Sequence, residues 1–367
     1  MESMYTSLGI KTVINASGKM TALGSSILSE KVADVFRESS QYYVDIEKLI
    51  EAAGKVIAKH TGAEDGCPVN SAASGIAISV AALVAGKDQV EIEKLPNTDN
   101  SKNEFILQKG HDVNFGANLT QMVRLGGGVP KLVGSVNKVD PSHISGSINE
   151  KTAGIIYVIS HHAVQKGMVS LKEVINIAKD NNIPLIIDAA AEQDLKGYIQ
   201  KGADAVIYSG SKAVNGPTSG YICGKKSIME ACRRQYNGIG RAMKVSKESI
   251  MGLLASLEQY TDSFSQPQQQ KQEMVELCDK LNQLNGLSCE LKRDEAGRDI
   301  YRAAIKVEDS CRYTAIELLE RLQNGNPSIY LRSHNANIGT LLVDPRPLKP
   351  GETDIIVKRF NELLGEF

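Results

Sequence analysis

Tryptophan is absent from the 367-residue chain, and aromatic residues make up only 5% of it. Platforms that stack sugars or single-stranded bases on ring faces are therefore poorly supplied. Net charge is missing too: 42 basic side chains stand against 43 acidic ones, leaving −1. That balance excludes a domain built mainly around phosphate-backbone attraction and argues against a nucleic-acid partner, though not against a local basic patch. The six cysteines (Cys67, Cys223, Cys232, Cys278, Cys289 and Cys311) include no CxxC pair. The adjacent His161 and His162 diverge along the chain, so no zinc set is completed and no metal is expected. The first twenty residues lack the apolar core of a secretory leader, and a reduced, cytoplasmic compartment is the expectation. Long apolar runs are also wanting. The most membrane-like stretch, Ala72 to Ala85, is too short and too rich in small residues to span a bilayer, and reads as a buried helix.

What is present is an ordinary globular composition, 42% hydrophobic and 23% charged. A chain of this length buries roughly 75% of its unfolded surface and needs no disulfide or metal staple. Ser29 is placed to cap a helix through about Ser39, and Asp45 to Thr61 reads as a second, amphipathic helix. Beyond them, short strand candidates (CPV, FILQ, KLVGSV, GIIYVIS, IPLIIDAA, GADAVIYSG, TSGYICGKK) alternate with amphipathic stretches such as SLKEVINIAKDNN. The runs are nearly all-apolar rather than alternating, which marks a parallel or mixed sheet covered on both faces. The order predicts an α/β fold, a large doubly wound domain with a small α+β C-terminal domain. Its expected limits are an N-terminal segment, 1–45, packing on both domains, a large domain over 46–260 and a small one over 261–367. Within the small domain the pattern predicts a helix over Met274–Leu287, a strand at YRAAIKVE, a helix at TAIELLERLQNG, a strand pair within SIYLRSHNANIGTLLVD, and a last helix.

Three stretches carry chemistry. In NSAASGIAIS, Ser71, Ser74 and several backbone N–H groups stand where a strand gives way to an alanine-rich helix. The unbonded N–H groups of a first helical turn favour an anion such as phosphate, unless the turn is simply a tightly packed N-cap. It is neither a P-loop nor a GxGxxG turn, which removes support from nucleoside triphosphates and dinucleotides. In PLIIDAAAE, Asp188 ends an apolar strand at the edge where open α/β sheets bind ligands. A carboxylate there needs a cation, a metal or a protonated heterocycle, or else serves as a cap or loop anchor. In YSGSKAVNGPTSGYICG, Lys212 lies in a hydroxyl- and glycine-rich turn. It is suited to attack a carbonyl carbon if its pKa is lowered, and is otherwise an exposed turn lysine. Together the three match the needs of pyridoxal phosphate: a phosphate cradle, a partner for the pyridine nitrogen and an amine for the aldehyde carbon.

These residues carry a resemblance. VINASG, the NSAASG turn, QKGHDVNFGAN, the strand-end IID, YSGSKAVNGPTSGYICGKK, IGRAMKVSKESI and LRSHNANIGTLLVDPRPL resemble the fold-type I pyridoxal-phosphate enzymes. Within that group they are similar to the family shared by selenocysteine synthase and D-glucosaminate-6-phosphate ammonia-lyase, from Thr12 to about Leu348. The resemblance implies pyridoxal 5'-phosphate as cofactor, with Lys212 joined to its aldehyde and Asp188 paired with its ring nitrogen. Ser71, Ala72 and Ser209 would hold its phosphate. His111 stands where a residue covering the ring face is expected, or else caps a helix. Arg332 stands on the strand where relatives keep a carboxylate-binding arginine, its alternative being a surface position. Arg241 and Lys244 form either a phosphate clamp shared with a neighbouring subunit or an interface ion pair, and His162, or His161 beside it, would reach the substrate or the cofactor's ring oxygen.

Selenocysteine synthases carry extra N-terminal sequence and hold a charged tRNA, whereas this chain begins almost at VINASG. His111 replaces an acidic residue of that branch. The expectation is therefore the ammonia-lyase branch: an enzyme that turns D-glucosaminate 6-phosphate into 2-keto-3-deoxy-6-phosphogluconate and ammonia, in a homodimer or larger homo-oligomer. Another pyridoxal-phosphate lyase, racemase or aldolase, a selenocysteine synthase-like transferase and an inactive scaffold are the alternatives.

Overall fold

The computed structural model describes residues 4–98, 102–160, 162–260, 267–294 and 299–365. Twelve strands lie among these: β1 (Val13–Ala16), β2 (Asp65–Val69), β3 (Glu104–Gln108), β4 (Val129–Val133), β5 (Thr152–Val158), β6 (Leu185–Asp188), β7 (Ala205–Ser209), β8 (Gly220–Gly224), β9 (Leu287–Arg293), β10 (Tyr301–Val307), β11 (Ser328–Leu331) and β12 (Thr340–Val343). The chain divides into two units, Leu28–Asp262 and Met1–Ile27 with Ser263–Phe367. The first 45 residues thus divide at Ile27 between the two.

The large unit is built on a seven-stranded sheet of order β2-β8-β7-β6-β5-β3-β4. Strands β7, β6, β5, β3 and β4 run parallel, and β8 is antiparallel to both β2 and β7. Its central strands are buried at every position. Ile155 and Tyr157 join one apolar cluster while Ile156 and Val158 join the other, as the two-residue period of a strand covered on both faces requires. Helices begin where short polar side chains take up free N–H groups. Ser29 Oγ accepts from the Val32 N–H, Asp45 from Lys48, and Ser170 and Glu173 cap each other. A helix over Lys247–Gln259, absent from the sequence reading, completes one layer.

In the small unit, β12-β10-β9 form an antiparallel sheet, and β1 pairs in parallel with β11. Two expectations are corrected here. The helix expected over Met274–Leu287 spans Pro267–Leu281, and Leu287 opens β9 instead. The chain reverses at Gly286, whose φ of 82° favours glycine, and the Asn282 side chain bonds both the N–H and the carbonyl of Cys289 at 2.6 and 3.0 Å. The strands of SIYLRSHNANIGTLLVD do not form a ladder with each other. They take different partners, β1 and β10, and meet only at an Arg332–Leu342 bridge.

Candidate active site

Register brings the singled-out residues of the large unit to one edge of its sheet. Val69, at the end of β2, and Ser209, at the end of β7, both pair with Gly220 at the start of β8. Asp188, at the end of β6, pairs with Ile207 on one side and Val158 on the other. This is the carboxyl edge of the parallel strands.

Ser71 caps the helix Ala72–Ala85. Its Oγ accepts from the Ser74 N–H at 3.1 Å, while Ser74 Oγ accepts from the Ser71 N–H at 2.9 Å. The two hydroxyls therefore serve each other. The N–H groups of Ala72 and Ala73, the first two helical positions, have no carbonyl within the helix to bond and are the natural anion donors. Gly220 allows the close approach to this turn: a Cβ there would stand 2.8 Å from the Ser71 carbonyl carbon and 2.9 Å from the Ala72 nitrogen, both backbone. Gly220→Ala is expected to lower stability by about 1–3 kcal/mol through overpacking. A denaturant midpoint equal to that of the wild type would show that the turn can move aside.

Asp188 is 6% exposed, and burial pushes its pKa up to about 6 against the pull of the Ala190 N–H and the Lys212 charge. Lys212 lies in a braced turn. Gly210 donates to the Ser219 carbonyl at 2.9 Å, Gly216 to the Gly210 carbonyl at 2.7 Å, and Asn215 takes a φ of 55°. Ser209 is buried, its N–H on the Ala190 carbonyl at 3.1 Å and its hydroxyl 3.3 Å from that of Ser211.

His111 ends a short 3-10 turn after β3 and is fully buried, edge-on to Tyr157 with ring centres 4.6 Å apart. Its Nδ1 accepts the Val158 N–H at 3.2 Å. Burial lowers its pKa to about 4, with the Val164 backbone pulling weakly the other way. The ring is thus neutral at pH 7 with its proton on Nε2, a buried donor that makes no hydrogen bond. His162 is exposed on the loop after β5, its N–H on Ser160 Oγ at 3.2 Å. His161 lies outside the described residues.

The Arg241–Lys244 segment lies beside the Ser71 turn of its own chain, since Asn70 Nδ2 donates to the Lys244 carbonyl at 3.4 Å and Ile239 packs on the cluster of Ala81, Ala85, Ile92 and Leu95. Both cations are exposed and neither forms an ion pair among the described residues. Arg332 belongs to the small unit, directly after β11. It is not a surface arginine: its side chain is 13% exposed, with Nη1 3.9 Å from the buried Asp344 carboxylate. Sequence reading passed over Asp344, Arg302 and Arg346, which crowd this site. A signal existed, because Asp344 closes the apolar run LLV much as Asp188 closes PLII. Among the described residues no cluster of three or more metal-ligating side chains occurs, and no helix is long and apolar enough to cross a membrane.

Comparison with known proteins adds to this geometry. The family model SelA, L-seryl-tRNA selenium transferase, matches residues 13–312. A 5'-C-glycyluridine monooxygenase-decarboxylase from Streptomyces sp is 42% identical over 365 residues, covering 98% of this chain and 92% of that protein. A D-glucosaminate-6-phosphate ammonia lyase from Salmonella typhimurium (strain 14028s / SGSC 2262) is 40% identical over 362 residues, covering 98% of each. A solved D-glucosaminate-6-phosphate ammonia-lyase superposes with a TM-score of 0.92 at 39% identity, over 99% of this chain and 98% of that one.

Proposed function

Because the chain belongs to the SelA family, within the fold-type I pyridoxal-phosphate enzymes, we propose that it is an ammonia-lyase converting D-glucosaminate 6-phosphate into 2-keto-3-deoxy-6-phosphogluconate and ammonia. The observation that carries the reading is the near-complete superposition on a D-glucosaminate-6-phosphate ammonia-lyase at 39% identity. The chain's own site fits pyridoxal 5'-phosphate. Gly220 opens a cradle at the free N–H groups of Ala72 and Ala73, His111 Nε2 is a buried donor that makes no hydrogen bond within 3.5 Å, and Asp188 is a buried carboxylate at the strand edge on which the Lys212 charge acts.

Bound there, pyridoxal phosphate supplies an aldehyde for the substrate amine and a protonated ring that accepts the electron pair of the Cα–H bond. The rest is the work of side chains. Ala72, Ser71 and Ser209 anchor the phosphate, and Asp188 keeps the proton on the ring nitrogen. His111 would cover the ring face, with its neutral imidazole fixed by Val158. Lys212 would join the cofactor's aldehyde carbon at rest and, as a free amine, would carry the Cα proton. The net reaction would expel the 3-hydroxyl as water, with the proton that Lys212 carries, and return one water at C2, giving the 2-keto-3-deoxy acid and ammonia. Arg332 binds the α-carboxylate through its planar fork. His162, Arg241 and Lys244 serve the distal end of the substrate, in a homo-oligomer with the dimer as its smallest unit; sedimentation of the active protein as a monomer would count against that assembly.

The test is product analysis. D-glucosaminate 6-phosphate is expected to yield ammonia and the 2-keto-3-deoxy acid in equal amounts without oxygen uptake. The 42% identity to a 5'-C-glycyluridine monooxygenase-decarboxylase makes that nucleoside the second substrate to try. Oxygen consumption and carbon dioxide release from it, with the sugar acid inert, would replace the lyase reading.

A further inference from the structure

The small unit holds a buried cluster of opposite charges whose bonding is lopsided. Asp344 is fully buried and both its oxygens are engaged. Oδ1 accepts Arg346 Nε at 2.8 Å and the Arg346 N–H at 3.2 Å, and Oδ2 accepts Arg346 Nη2 at 2.7 Å and Arg302 Nε at 2.9 Å. Arg302 is held in turn by Asp294, through Nη1 at 2.7 Å. Arg332 is left out. Its nearest approach to Asp344 is 3.9 Å, within the reach of charge attraction and outside that of a hydrogen bond. Its Nε is buried with no acceptor, although its backbone is fixed by two bonds to Leu342. Burial, together with Arg302 and Arg346, destabilises its charged form. A guanidinium in that condition gains from any oxyanion that reaches it, whereas one already bonded to Asp344 would have to be pulled away first.

We propose that Arg302 and Arg346 are positioning residues which, by occupying Asp344, keep the Arg332 guanidinium available to the carboxylate of the substrate. This rests on the reading of Arg332 as the carboxylate-binding residue and adds why it stays unpaired beside a buried aspartate. Gly18 belongs to the same arrangement: a Cβ there would stand 3.2 Å from Asp344 Oδ2 and 3.4 Å from Arg346 Nη2, crowding the pair that keeps Asp344 occupied.

The experiment uses the cofactor-loaded enzyme and 6-phosphogluconate, which keeps both anionic groups of the proposed substrate and lacks the amine. Its dissociation constant is measured by calorimetry beside KM and kcat for the substrate. Arg302→Met removes one of the two donors on Asp344 Oδ2 and lets Arg332 take its place, so the dissociation constant and KM are expected to rise about tenfold while kcat changes little. Adding Asp344→Asn to Arg302→Met removes the competing carboxylate and is expected to restore affinity, a recovery that a merely structural role would not produce. If Arg302→Met fails to fold, Arg346→Met reads the same competition by removing the side-chain donors on both oxygens. Wild-type affinity in both arginine variants, or no recovery in the double variant, overturns the inference. Wild-type affinity in Arg332→Met overturns the carboxylate reading beneath it, as does failure of the wild-type enzyme to bind 6-phosphogluconate.

Discussion

Lys212→Ala is expected to lose turnover by a factor of roughly 10²–10⁴ or more, since the residue is both the covalent anchor and the proton carrier in the proposed reaction. The turn around it does not depend on its side chain. Gly210, Gly216 and Ser219 brace it through the backbone, so the variant should fold and still hold the cofactor through the Ser71 turn and Asp188. Borohydride reduction discriminates cleanly. In the wild-type protein it is expected to fix the pyridoxyl group on the peptide containing Lys212, with loss of the visible absorbance band. In the variant the cofactor should be released on denaturation. Mapping of the reduced cofactor to any other lysine would overturn the site assignment, whatever the activity of the variant.

Asp188→Asn is expected to separate stability from catalysis. Burial raises the folded pKa of Asp188 from its ordinary 3.8 to about 6. The folded chain therefore holds that proton more tightly than the unfolded chain does. For the cofactor-free protein, the contribution of Asp188 to stability is fully present below its unfolded pKa near 4. It declines as pH rises through about 6, where the buried carboxylate ionises. A shift of about two pKa units corresponds to roughly 3 kcal/mol. Without cofactor, Asp188→Asn should thus match the wild type near pH 4 and exceed it in stability above pH 6. Turnover should move the other way, falling by about a hundredfold or more, because an amide cannot hold the ring nitrogen protonated and the ring loses its pull on electrons. Chemical denaturation at pH 4 and pH 7.5, beside kcat, tests both halves. A variant less stable than the wild type at pH 7.5 would mean that Asp188 is already paired in the cofactor-free protein.

Much of the large unit was legible from local pattern. PLIID, DAVIYS and GYICG are apolar at almost every position, too short for a buried helix and suited to strands covered on both faces. Ser29 and Ser71 announced helix starts because their short side chains bond N–H groups three residues ahead, a purely local transaction. The stop at Leu281 was not legible. Leu284 and Leu287 continue the apolar spacing because both still pack in the small-unit core after the chain has turned, so periodicity records their burial and misses the change of backbone.

Asp188 and Lys212 were likewise readable, as polar residues placed directly after apolar strands. What sequence could not supply was their setting, which depends on residues far apart in the chain. Ser71 and Ser209 come together only because β2 and β7 share the partner β8 and meet at a glycine. His111 is a buried, neutral donor only because β5 presents Val158 to its Nδ1. Arg332 makes no hydrogen bond to Asp344 where Arg302 from β10 and Arg346 after β12 already hold both its oxygens. Residue type and local spacing determine which groups can do chemistry and where an element begins. Burial, tautomer and charge partner are properties of the space around a side chain, and that space is assembled by strands that meet only when the chain has folded.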